Sequence, residues 1–191
     1  MLTLIEPASL CIKTTMKHFL TAAFAAAFLV TTSTALADGT SFLKTQVSST
    51  ASLDWVFDFD AIAKRSLAQH WDSAAAQQRA EFSATLASLV KRSFKKHIAE
   101  IRGHAVEYLD EKSDNNVVSV EVRTIPKSPA EEPSDVIFKM RPDGDSFLVV
   151  DVVVEGSSMV DNYRKQFHKI ITKDGLDTLI KKLKDKLSRN Q

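Results

Sequence analysis

Hydrophobic positions along this chain change period twice, and the second change is the sharper one. The stretch Phe147–Phe167, FLVVDVVVEGSSMVDNYRKQF, opens as an almost unbroken β-branched run, stops at Gly156 and resumes at helical spacing after Ser157 and Ser158. A strand this apolar must be covered on both faces, by core or by an apolar ligand. Asp151 sits in the middle of it.

Upstream, FDFDAIAKRSLAQHW (Phe57–Trp71) places Ile62, Leu67 and Trp71 on one helical side, with Asp60 as N-cap. Ser73 then caps a long helix over roughly Ala74–Arg102, closed by Gly103. Its apolar stripe is Phe82, Leu86, Leu89, Val90, Phe94, Ile98 and Ile101, and its other face carries Lys91, Arg92, Lys95 and Lys96. That basic face reads as a solvated surface, with a docking patch as the alternative. From Ala105 to Glu155 the period becomes two: Val118, Val120 and Val122 alternate with Ser119, Glu121 and Arg123. Val136, Phe138 and Met140 alternate with Ile137 and Lys139, and Pro142–Asp145 forms a hairpin turn. With Val106–Tyr108 this predicts about four antiparallel strands. Two helices finish the chain, divided at Gly175: the first aligns Met159, Val160, Tyr163, Phe167, Ile170 and Ile171, the second Leu176, Leu179, Ile180, Leu183 and Leu187. Helices flanking a contiguous run of strands predict an α+β fold, a curled antiparallel sheet packed against helices.

The first 37 residues carry a different message. Met16-Lys17-His18 precede an apolar run of 12 residues, Phe19–Val30, and Ala35-Leu36-Ala37 is an A-x-A cleavage site. The pattern is that of a Sec-type signal peptide, the run being too short to span a bilayer. Residues 1–15 read as an over-extended start, with initiation at Met16. Residues 38–191 are expected to form a single exported domain, with Asp38–Ser52 a short helix or a disordered lead-in.

Charge and cysteine content narrow the function. Removing Glu6, Lys13 and Lys17 from the 25 basic and 24 acidic residues leaves 23 of each, so the exported chain is neutral and a poor nucleic-acid binder. The one cysteine, Cys11, lies in the leader. Thiol chemistry, disulfides and Zn–Cys sites are therefore not expected, and an ordinary core must hold the domain.

Catalytic patterns are sparse. His70, His97, His104 and His168 show no metal-ligand spacing, and no nucleophile elbow or phosphate-cradling loop is present. Asp143-Gly144-Asp145 lacks the rest of a calcium loop and reads as a turn. No metal, cofactor or catalytic residue is expected. Asp151 alone needs explanation, since a buried carboxylate is costly unless partnered. The structural reading pairs it with Arg65, Arg79, Arg123 or Arg164; the enzymatic alternative makes Asp151 and Tyr163 the site of a small cavity enzyme.

FDFDAIAKRSLAQHW, AAAQQRAEFSATLASLVKRSF, VVDVVVEGSSMVDNYRKQFHKII and GLDTLIKKL together resemble the MlaC family, the toluene-tolerance auxiliary proteins of an ABC system for outer-membrane lipid asymmetry. The likeness covers about Phe57–Leu183. It implies an NTF2-like cone that carries phospholipid through the periplasm as a monomer, its acyl tails in an apolar cavity and its head group outside. It also implies two partners, an outer-membrane lipoprotein–porin complex and an inner-membrane ABC transporter bearing an MCE-domain ring. The lipid-binding wall it implies comprises Phe82, Leu86, Leu89, Val90, Phe94, Val120, Val122, Phe138, Met140, Phe147, Val149, Val150, Val152, Met159, Tyr163 and Phe167. A non-catalytic transporter adaptor is the rival expectation. Family members carry a longer helical segment ahead of the FDF motif, where this chain has 19 residues after Ala37.

Overall fold

The computed structural model describes residues 38–48 and 56–189, with the side chains of 96–103 outside the description; residues 1–37, read above as a start and signal peptide, also lie outside it. Helix α1 spans Gly39–Ser48, α2 Phe59–Leu67 and α3 Ala76–Gly103. Strands β1 (Ala105–Asp114), β2 (Val117–Ile125), β3 (Ser134–Asp143) and β4 (Ser146–Val154) follow, then the two-residue β5 (Ser157–Ser158), α4 (Met159–Asp174) and α5 (Leu176–Ser188). The sheet is antiparallel in the order β1-β2-β3-β4-β5, one strand more than the alternation predicts, because β5 is too short to show a period.

The FDF motif is a junction. Phe57 makes a parallel bridge to Val149, with Val149 N donating to Val56 O at 2.6 Å and Asp58 N to Val149 O at 2.9 Å. Asp58, not Asp60, caps α2: its Oδ1 accepts from Ala61 N at 2.9 Å, while its Oδ2 takes Arg141 Nε at 2.6 Å. The flanking rings turn inward, Phe57 lying 5.7 Å from Phe59 and 4.6 Å, edge-on, from Phe94. One carboxylate thus starts a helix and ties it to β3.

Helix α3 begins later than the Ser73 cap predicts. Gln78 reaches back to accept from Ala75 N at 3.0 Å, and Ser73 instead donates to His70 O. Its stripe is buried as expected at Phe82, Leu86, Leu89 and Val90, with Phe94 half-buried and Ile98 and Ile101 outside the described side chains. Arg92 does not belong to a solvated face: it donates to the carbonyls of Leu187 at 2.6 Å and Lys186 at 3.1 Å. A cation there answers the free carbonyls at the α5 C-terminus. Helix α5 buries Leu179, Ile180 and Leu183, and Phe82 of α3 meets Phe167 of α4 edge to face at 5.6 Å.

A bulge in β4 resolves the over-apolar run. Val152 pairs with Phe138 and Val149 with Met140, so the register slips by one residue between Lys139 and Met140. The extra residue shifts the alternation, and Val149 and Val152 both face inward although three positions apart. Val149 through Val153 are all buried, which is why the segment has no polar alternation.

Asp151 is 1% exposed. None of the expected arginines holds it. Its Oδ2 accepts from Ser158 Oγ at 2.6 Å and its Oδ1 from Val160 N at 3.1 Å, while Ser158 Oγ in turn accepts from Asp161 N. The carboxylate sits at the N-terminus of α4, where free amides and the helix dipole favour negative charge. Arg65 donates to the neighbouring carbonyl of Val150 instead.

Candidate functional site

The inward face of the sheet and the helices that cross it enclose a cavity of about 530 Å³. Helix α3 contributes Val90, Ser93 and Phe94; His104 follows it. The sheet contributes Thr124, Ser134, Val136, Phe138, Val152 and Val154, and the β5–α4 corner adds Ser157, Met159, Asn162 and Tyr163. The apolar members come from alternate positions of β3 and β4 and from one side of α3 and α4.

Polarity is segregated. Among the described residues no carboxylate, lysine or arginine lines it, and the polar groups are hydroxyls, one amide and one imidazole. Val154, 44% exposed, marks an edge open to water. Burial pushes the Tyr163 phenol above its ordinary pKa, which keeps it neutral. Such a chamber selects by shape and hydrophobicity.

Six of the sixteen expected lining residues reach this cavity: Val90, Phe94, Phe138, Val152, Met159 and Tyr163. Phe82, Leu86, Leu89, Val120, Val122, Met140, Phe147, Val149 and Phe167 are packed as core, all of them under 9% exposed. Val150 leaves the inner face altogether: as the bulge residue it joins Ser119, Lys139 and Arg141 along a groove on the other side. The polar residues and Val136 and Val154 were not anticipated. Val136 shares the β3 alternation with Phe138 and was within reach of a period argument; the serines and Asn162 carry no such signal.

Other candidates resolve as structure. His70 Nε2 lies 2.9 Å from His168 Nδ1, with Gln69 Nε2 3.1 Å from the same nitrogen, on the exterior. Chain separation hid that pair from the sequence. Among the described residues no hydrogen bond joins Asp151 to Tyr163, and both oxygens of Asp151 are engaged.

The family profile described as MlaC protein matches residues 29–185, most of the chain. The chain belongs to the MlaC family. A relative from Haemophilus influenzae, the intermembrane phospholipid transport system binding protein MlaC, is 28% identical over 127 residues, covering 64% of this chain and 59% of its own length. This chain therefore spans less than two thirds of that relative. Among solved structures, the phospholipid-binding protein from Ralstonia solanacearum, in complex with a phospholipid, aligns with a TM-score of 0.61 at 20% identity. That alignment covers 72% of this chain and 79% of the other, and it carries the fold, a mixed α+β arrangement.

Proposed function

We propose that this MlaC-family chain is a phospholipid carrier, holding acyl chain in the 530 Å³ cavity with the head group at the edge near Val154. The observation that carries the reading is the lining, a mostly apolar chamber whose polar members are hydroxyls, one amide and one imidazole. The energetics favour such a chamber. Burying acyl chain is worth about 0.8 kcal/mol per methylene, so a chain of roughly 15 methylenes represents on the order of 12 kcal/mol. Extraction into water would cost as much, and only a comparably apolar cavity makes exchange with a bilayer near neutral. The direction of net transfer then belongs to the docking partners, since a carrier alone can only equilibrate.

The carrier works in the periplasm after export and cleavage following Ala37, needs no cofactor or metal, and does no chemistry. Its partners are an outer-membrane lipoprotein–porin complex and an inner-membrane MCE-domain ABC transporter. Native mass spectrometry of protein isolated from cells tests the cargo: the expected spectrum shows one protein chain with co-purifying phospholipid. A stable, lipid-free chain that takes up none from vesicles overturns the reading, and binding to the transporter without lipid would make the protein an adaptor.

A further inference from the structure

The apolar strip of the sheet does not end where the cavity ends. On β2, β3 and β4 the inward positions continue past Thr124, Phe138 and Val152 to Val118, Met140 and Phe147, and this second half lies under α1. The cover is close. A Cβ on Gly39 would stand 2.7 Å from Val118 Cγ1 and 3.2 Å from Met140 Cε, and the Phe42 ring lies 5.5 Å from that of Phe147. Leu43 is buried in the same core.

Beyond that packing, few polar ties join α1 to the sheet among the described residues. Lys44 Nζ lies 4.9 Å over the Tyr108 ring. The helix is ten residues long, GTSFLKTQVS, with Thr, Ser and Val at half its positions, a length and composition that do not sustain a helix in water. Its N-terminus is tied to the sheet by one carboxylate: Glu111 accepts from Thr40 N at 2.8 Å, Thr40 Oγ1 at 2.6 Å and Gly39 N at 3.3 Å. The remaining cap, Asp38, belongs to the same segment.

Volume gives the arrangement a meaning. At about 30 Å³ per water-sized group, 530 Å³ accepts on the order of 18 such groups, the bulk of one long acyl chain. Resting on the carrier reading above, we infer that the strip under α1 is the subsite for a second acyl chain, and that α1 occupies it when no second chain does. A diacyl phospholipid enters by displacing α1; a single-tailed lipid does not need to.

A disulfide across this contact tests the idea. The Cβ-to-Sγ separation across a disulfide is about 3.0 Å, close to the 2.7 Å between a Cβ at 39 and Val118 Cγ1. Gly39→Cys with Val118→Cys therefore clamps α1, and Cys11 is the chain's one other cysteine. Protein from the periplasm is mixed with vesicles of dipalmitoyl phosphatidylethanolamine, or with its single-tailed lyso form, and read by native mass spectrometry before and after dithiothreitol. The clamped protein should retain the lyso lipid and lose diacyl loading by roughly tenfold or more, with reduction restoring it. Glu111→Gln, which needs no cysteine, should speed diacyl uptake by about tenfold. A clamped protein that loads diacyl lipid as well as the reduced one, or a Glu111→Gln protein with unchanged uptake, overturns the inference and leaves the carrier reading standing. Wild-type protein that takes neither lipid overturns the carrier reading itself.

Discussion

Asp151→Asn changes one oxygen for an NH2 group and asks what the buried carboxylate is for. Its two oxygens receive Ser158 Oγ at 2.6 Å and Val160 N at 3.1 Å, in a position 1% exposed. Asparagine keeps one acceptor and turns a donor toward the other, so one partner is left unsatisfied. An unsatisfied buried donor costs about 1–3 kcal/mol. Taking about 2 kcal/mol, a chain of this size should lose roughly 4–8 °C in Tm. Asp151→Ala strips both partners and should cost roughly 3–5 kcal/mol. Urea or thermal unfolding gives the stability, and native mass spectrometry gives lipid retained below the transition. The structural role predicts destabilisation in the order Ala, Asn, wild type, with the folded fraction of each binding lipid normally. An Asn variant as stable as wild type would refute the pinning argument. A stable one that lost a chemical turnover would revive the cavity enzyme.

Val154→Glu puts a charge at the exposed edge of the cavity, where it stays hydrated; Tm should hold within a few degrees while lipid retention in native mass spectra falls. Leu86→Ala, by contrast, opens a hole in packed core and should cost about 2–5 kcal/mol in urea unfolding. Ser66 is buried with no hydrogen-bond partner for its hydroxyl among the described residues, so Ser66→Ala should be neutral or stabilising by up to about 2 kcal/mol, and a clear loss of stability would show a missing partner. The hydrogen bond from Arg123 holds Asp135 below its ordinary pKa, as Lys112 does for Asp110. Both depressions add stability that is present above the ordinary carboxylate value and lost as pH falls through the lowered one; Asp135→Asn should flatten the acid limb of a Tm-against-pH curve. Tyr163, raised by burial, works at the other end, its stability lost as pH climbs past the ordinary phenol value, and Tyr163→Phe should flatten the alkaline limb.

Local rules read most of the secondary structure correctly. The Phe82–Phe94 stripe, the β2 alternation and the Gly175 break all appear where their periods put them. Caps were less legible: Asp58 and Asp60 are equally good acceptors in sequence, and only Asp58 also faces Arg141 across the sheet. The site fared similarly. On α3, β2 and β3 period identified which residues point inward, but it misplaced Val150 of β4 and could not separate side chains that touch one another from side chains that touch a space. Leu86 and Val90 are one helical turn apart on the same stripe; Leu86 is packed and Val90 lines the cavity.

By itself, the sequence determined an α+β chain, the inward-facing residues of α3, β2 and β3 and a resemblance to the MlaC family, because periodicity and motif order are properties of neighbours along the chain. Tertiary structure alone decided three things. It placed the β4 bulge that turns Val149 and Val152 to one face, it gave Asp151 a helix terminus rather than an arginine, and it laid α1 over half of the apolar strip. Each of these depends on groups brought together across the fold, where packing and hydrogen-bond satisfaction choose among arrangements that local pattern leaves equal.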